Sequence, residues 1–285
     1  MVFRVAYTPL PPLGAAVEYE YGKFSSPEEA TLQGVTRSFE LFNSRIYPGT
    51  HRDVWLHVPP GVDTTSPLNY CVFQDGWLYL DPHGPIRAGI VLDNLHTLGL
   101  IPPTVGIFVD PGKAVRPRDV GTTKQRNIEY DPFTPAYGNF LRKEVLPAVA
   151  EHVSLTSSPI GNFICGGSSG GNCAFTAAWY HQDLFEVAIC FVSSFAQMPG
   201  GNPVPRALDL HGAPPRRLRV FQQIALRDLN WDKADGNWVA ENFRVAAALL
   251  EHGHDLRCVL GDGGHSPNHG GVLLPDALMW AAGAA

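Results

Sequence analysis

The chain has 285 residues, 45% of them apolar and 17% charged, which suits one large domain with a sizeable core and excludes a disordered chain. A formal net charge of −6 argues against nucleic acid or an anionic membrane surface as a partner. No apolar run reaches the length of a membrane span, and the start MVFRVAYTPLPPLG lacks the charged-then-apolar build of a signal peptide, so a cytoplasmic location is expected.

Residues 1–35, rich in Pro, Gly and Glu, read as an extension packed on the domain or on a partner subunit, and a homodimer is one expectation. Residues 36–285 read as the domain itself. Arg37–Phe42 and Arg52–Val58 are strands separated by the turn Tyr47-Pro48-Gly49-Thr50, predicted to form an antiparallel edge. Tyr70–Gln74 is a short buried strand ending at Asp75-Gly76-Trp77, and Ile86–Leu98 has helical spacing. Thr104–Val109 is the next buried strand. Lys113–Tyr130 reads as a polar loop, with Arg116 and Arg118 among its solvated charges, and Tyr137–Val153 as a helix kinked at Pro147. Asn162–Cys165 is a strand, Ala174–Tyr180 a helix, and Val187–Val192 another buried strand. Ser193–Pro215, dense in Gly and Pro, could form a short cap. Strand Arg219–Leu226, helix Trp238–Leu250, strand Leu256–Leu260 and helix Val272–Ala282 complete the chain. This alternation predicts a mostly parallel, doubly wound α/β sheet with an antiparallel N-terminal edge.

The five cysteines, Cys71, Cys165, Cys173, Cys190 and Cys258, are scattered, and most sit in strand-like runs, so they read as reduced and buried. No Cys/His spacing matches a zinc site, and neither a metal nor another cofactor is expected.

Chemistry concentrates at Gly166-Gly167-Ser168-Ser169-Gly170, a G-x-S-x-G between a strand and a helix. A strand-to-helix turn this sharp has no room for flanking side chains, so glycines fill it and the serine is pushed to the top of the sheet. A frame shifted by one residue would make Ser169 the nucleophile; Ser168 is preferred because it follows the strand directly. A plain Gly/Ser loop is the bland alternative, which the flanking strand and helix disfavour. An elbow serine needs a base, and the base needs an acid to orient it. Each of the last two strands supplies one: Asp228 beyond Arg219–Leu226, and His265 beyond Leu256–Leu260. Asp232, Asp235 and His269 are rivals placed less well. The Ser169 N–H and one from Gly76 or Trp77 are the candidate oxyanion donors.

These segments resemble the Putative esterase family, which includes enterochelin (ferric enterobactin) esterases and, more distantly, feruloyl and acetyl-xylan esterases of carbohydrate esterase family one. YPGTHRDVWLHVPP, FQDGWLY, LDNLHTLGLIPP, RNIEYD, ICGGSSGGNCAFTAAW with DLF after it, and GDGGHSPNHGGVLLPDALMW carry the likeness. The resemblance implies an α/β-hydrolase with nucleophile Ser168, base His265 and acid Asp228. It also implies that Arg126, Glu129 and Tyr130, in RNIEYD, order the site; from its position alone, His269 reads as a support behind the catalytic residues, a substrate-facing group or a cap on the last helix. Two departures stand out. Only about 35 residues precede the core, where many enterochelin esterases carry a lid domain, and Ser266-Pro267-Asn268 follow the histidine, where the family commonly has Asp-Trp. The expected function is a serine hydrolase of a small-molecule carboxylic ester, with an acyltransferase or a non-catalytic binding homologue as alternatives.

Overall fold

The computed structural model describes residues 17–27, 33–114, 124–211 and 217–283. Among the described residues nine strands form one sheet: β1 (Val35–Leu41), β2 (Thr50–Val58), β3 (Asn69–Gln74), β4 (Thr104–Val109), β5 (Lys113–Ala114), β6 (Phe163–Gly167), β7 (Val187–Phe191), β8 (Arg219–Ala225) and β9 (Asp255–Gly261). Their order is β1-β2-β4-β3-β6-β7-β8-β9, with the short β5 paired to β2. β2 runs antiparallel to both β1 and β4, and every pairing from β4 through β9 is parallel. The predicted sheet, with its antiparallel N-terminal edge, is the one observed.

Two-residue alternation divides each central strand between two cores. In β3, Tyr70 and Val72 face one side while Cys71 and Phe73 face the other; in β6, Ile164 opposes Phe163 and Cys165. Burial on both faces explains why these strands read as continuous apolar runs. One core receives α6 (Ser169–Tyr180) and α8 (Trp238–Glu251), and the other α2 (Ala88–Thr97) and α9 (Asn268–Ala281). The short α1 (Gly76–Leu80) leaves β3 toward the α2 side, whereas α6 leaves the neighbouring β6 toward the opposite face. The chain therefore reverses its winding between β3 and β6, which opens a crevice at their carboxyl ends.

Some boundaries differ from the sequence reading. The predicted loop Lys113–Tyr130 holds β5 and a short helix α3 (Gln125–Tyr130); Arg116 and Arg118 lie outside the described residues. The predicted helix Tyr137–Val153 is α4 (Ala136–Phe140), a π turn at Leu141–Val145 and α5 (Leu146–Ala150). The π turn falls just before Pro147, whose missing N–H cannot continue an α ladder. The Gly/Pro-rich Ser193–Pro215 segment contains α7 (Val204–His211), packed on α8. Ahead of β1, residues 17–27 lie along α9 and its preceding loop. There the Tyr21 hydroxyl donates to the Pro85 carbonyl and to Asn268 Oδ1, at 2.8 and 3.0 Å.

Among the described residues, no helix is long and apolar enough to cross a membrane.

Candidate active site

β6 ends at Gly167 and α6 begins at Ser169, so the turn between them is Ser168 alone. Its backbone sits at φ 58°, ψ −128°, a region costly for a residue with a Cβ. Surrounding contacts hold it there. The Ser168 N–H donates to the Phe191 carbonyl at 2.9 Å, and the Ser168 carbonyl accepts from Gly171 and Ser194 N–H groups at 2.9 and 3.1 Å. The neighbouring glycines are needed for space. A Cβ on Gly166 would stand 2.2 Å from the Gly170 carbonyl oxygen, and one on Gly171 would stand 2.2 Å from Ser193 Oγ. Ser169 is instead the first residue of α6 and 4% exposed, its hydroxyl 3.4 Å from Asn127 Nδ2, so the elbow geometry belongs to Ser168.

The loop after β9 brings His265 over this serine. His265 Nε2 lies 3.0 Å from Ser168 Oγ, and Nδ1 lies 2.8 Å from Asp228 Oδ1. Asp228 is 1% exposed and stands just beyond β8, where its Oδ1 also accepts from the Leu229 N–H at 2.7 Å. A carboxylate facing Nδ1 makes that nitrogen the protonated one, which leaves the Nε2 lone pair toward the serine. The imidazole also packs edge to face with Trp238, ring centroids 4.7 Å apart. Such an array can take a proton from Ser168 and return it to a leaving group. Asp232 and Asp235, the weaker rivals for Asp228, are exposed.

The remaining expectations divide. Of the oxyanion candidates, Trp77 has its N–H engaged by Asp110 Oδ1 at 3.0 Å. Gly76 packs so tightly on β4 that a Cβ would meet the Val109 nitrogen at 2.6 Å, so only glycine fits there. Arg126 does reach the crevice. Its guanidinium grips Asp75 in two bonds, Nε–Oδ1 at 2.6 Å and Nη2–Oδ2 at 2.7 Å, and Nη2 lies 3.3 Å from the Gly167 carbonyl. Burial opposes its charge, but the Asp75 carboxylate overrides this and holds Arg126 above the ordinary arginine range.

Glu129 and His269 stand away from the cavity beside Ser168. Glu129 points away from the crevice into the protein, where its carboxylate forms a fully buried bidentate pair with Arg52 at 2.6 and 3.2 Å. Successive turns of α3 thus present Arg126 to the crevice and Glu129 to the core. His269 falls in the first turn of α9, 5% exposed, because that helix starts four residues earlier than its apolar run. Its Nε2 lies 3.1 Å from both the Tyr19 hydroxyl and the Gly264 carbonyl, so it braces the His265 loop from behind. Burial pushes its pKa down.

A cavity of about 190 Å³ opens beside Ser168 and His265, walled by Leu78, Tyr79, Ile86, Phe191 and Val192 with Arg126 and Asp75 at one side. A larger cavity of about 500 Å³, between Trp55, Trp77, His57 and Asp93, touches neither Ser168 nor His265. Three residues of the site escaped sequence reasoning. Asp75 reads as a turn residue, Trp238 as a helix residue and Ser194 as part of a loop. The signal for Ser194 was its place just after a buried strand, β7, next to the strand of the elbow. Among the described residues, no group of three His, Cys, Asp or Glu side chains could hold a metal ion.

Comparison with known proteins adds the following. No curated protein sequence matches the chain. Among solved structures, an enterobactin esterase from Shigella flexneri, crystallised in the presence of enterobactin, superposes with a TM-score of 0.70 at 17% identity, covering 88% of this chain and 59% of that one. A ferric enterobactin esterase from Salmonella typhimurium gives 0.69 at 17% identity over 89% of this chain and 60% of that one. The chain thus spans about 60% of the length of these enzymes. A feruloyl esterase module from Clostridium thermocellum, complexed with sinapinate, gives 0.66 at 14% identity over 93% of this chain and 94% of the module. At these identities the likeness establishes the α/β-hydrolase fold. The family rests on sequence: the profile of the Putative esterase family matches residues 46–282, and the chain belongs to that family.

Proposed function

We propose that the protein cleaves its ester through a covalent acyl-serine intermediate. In this reading Ser168 attacks the ester carbonyl, His265 takes its proton and passes it to the leaving alcohol, and Asp228 keeps the imidazole in the required tautomer. The N–H groups of Ser169 and Gly76 hold the oxyanion at the start of α6, where the helix dipole favours negative charge. Water then repeats the sequence to release the acid. The observation that carries the reading is the continuous hydrogen-bonded line from Asp228 through His265 to Ser168, at 2.8 and 3.0 Å.

The cavity supports a substrate class. Its walls are mostly apolar, and the one guanidinium among its described lining residues is neutralised by Asp75. A small or flat uncharged acyl group fits it better than an anionic one. Enterobactin, named for two structural neighbours, is a reasonable substrate to try, but the cavity does not single it out.

The test is labelling with a fluorophosphonate probe and peptide mapping, beside hydrolysis of p-nitrophenyl acetate and butyrate. The expected result is a label on Ser168 and turnover, both lost in Ser168→Ala. A label elsewhere, or turnover kept by Ser168→Ala, refutes the mechanism.

A further inference from the structure

Ser194 occupies a place that its loop position does not explain. The chain leaves β7 through Val192, at φ 40°, and its N–H donates to the Gln223 carbonyl at 3.2 Å. Ser194 is then pinned on both sides. Its N–H donates to the Ser168 carbonyl at 3.1 Å, its own carbonyl accepts from the Gln197 N–H at 2.8 Å, and Asn242 Nδ2 holds the adjacent Ser193 carbonyl at 2.8 Å. The side chain is thereby fixed in a residue only 1% exposed, with its hydroxyl oxygen 3.1 Å from Ser168 Oγ. Among the described residues, that is the one hydrogen-bond partner the hydroxyl has.

The direction of this bond follows from counting protons. Asp228 makes His265 Nδ1 the protonated nitrogen, so Nε2 is an acceptor and the single Ser168 proton goes to it. Ser168 Oγ then has lone pairs to offer and no second proton. Among the described residues the Ser194 proton has no other acceptor within reach, and a buried donor left unpaired is costly. Ser194 is therefore the donor and Ser168 Oγ the acceptor.

We propose that Ser194 is a catalytic residue of this site, a fixed O–H donor aimed at the nucleophilic oxygen. The proposal rests on the acyl-serine reading above. During attack, the Ser168 proton passes to His265 Nε2 while the Oγ–carbon bond forms and the carbonyl π pair moves onto the carbonyl oxygen, and the Ser194 bond stabilises the alkoxide character that Oγ carries as its proton departs. During release, water adds to the acyl carbonyl and gives a proton to His265. The carbon–Oγ bond then breaks with its electron pair staying on Oγ, and His265 returns the proton there. Ser194 keeps its own proton throughout and meets the departing Oγ with the same bond. This fixed dipole needs no reorganisation when charge appears, which is the condition under which such donors matter most.

Two measurements test the proposal. In Ser194→Ala, the second-order rate of fluorophosphonate labelling at Ser168 is expected to fall about 10- to 100-fold, the loss of one hydrogen bond to a charged oxygen. The rate of release of the acetyl group should fall with it, and Ser194→Cys, a weaker donor of similar size, should lie between alanine and serine. Labelling of folded Ser194→Ala at the unmodified rate overturns the proposal; if that variant does not fold, the same outcome in Ser194→Cys does so. The second measurement is a thermal-midpoint cycle that needs no activity. Ser194→Ala should lower the midpoint in the parent protein and not in a Ser168→Ala background, where the acceptor is gone. Equal losses in both backgrounds show that the bond is absent and also overturn the proposal. A failure of the unmodified protein to label at Ser168 refutes the acyl-serine reading instead.

Discussion

Replacing Glu129 by alanine separates a substrate-ordering role from a role in the core. The partner left behind is Arg52, 0% exposed, with its guanidinium 4.2 Å from the Phe140 ring centroid and 5.5 Å from that of Tyr47. Both ends of its fork lie on Glu129, and the carboxylate also accepts from Gln125 Nε2 at 2.9 Å and the Gly112 N–H at 3.3 Å. Removing one member of a buried ion pair costs about 3–5 kcal/mol, because the other charge stays behind unpaired. At about 2–4 °C of melting temperature per kcal/mol for a large domain, Glu129→Ala should melt roughly 6–20 °C lower. The assay is a thermal or urea melt, run beside KM for p-nitrophenyl butyrate well below the midpoint. KM should stay within about twofold of the parent, since Glu129 has no contact with the cavity. Replacing both partners, Arg52→Met with Glu129→Leu, should recover most of the loss, because no charge is then stranded. An unchanged midpoint with a raised KM would refute the reasoning and restore Glu129 to the substrate.

Other expectations are as specific. Gly166→Ala puts a methyl 2.2 Å from the Gly170 carbonyl oxygen, so α6 must shift; a displacement near 1 Å at the nucleophile costs on the order of 100-fold in labelling rate, and a loss below threefold would show that the turn yields freely. Asp228→Asn keeps the shape but removes the charge that selects the tautomer, so kcat for p-nitrophenyl acetate should fall on the order of 10⁴-fold, and a loss under tenfold would count against its role. Burial lowers the pKa of His181, His254 and His269 below the usual histidine value. The unfolded chain thus takes up protons before the folded one as the pH falls below about 6.5, so stability drops with acidification there. The melting temperature should be lower at pH 5.5 than at pH 7.5, and equal values would contradict the burial of these rings.

The sheet and the hydrogen-bonded line from Asp228 through His265 to Ser168 were legible because each depends on local pattern. A buried strand followed by a small loop marks a carboxyl strand end, and Ser168, Asp228 and His265 each stand at one. Glu129 was misread because its partner, Arg52, lies 77 residues away in sequence, and nothing in RNIEYD shows which side of a one-and-a-half-turn helix faces inward. α6 began earlier than its apolar residues suggested because the first turn, Ser169-Gly170-Gly171-Asn172, is chosen for close approach rather than for helix propensity. α9 likewise opens on Asn268-His269-Gly270-Gly271, against which a Cβ on Gly271 would meet the Pro85 oxygen at 1.8 Å. Ser194 has no motif at all; a hydroxyl becomes significant only once the fold sets it against another.

The residues ahead of β1 bear on how the protein can be handled. A Cβ on Gly263 would meet the Tyr19 hydroxyl at 2.9 Å and Val17 Cγ1 at 3.3 Å, so this leading strand of chain is moulded to the loop that carries His265. Tyr19 on His269 and Tyr21 on Asn268 tie it to the first turn of α9. A shortened form beginning at residue 36, where composition suggests a clean boundary, would strip both tyrosines from behind the base. Such a form could still close its sheet and melt cooperatively while its imidazole wandered. Tags, fusions and protease trimming at this end are therefore interventions on the reacting centre, although that end is remote from it in sequence.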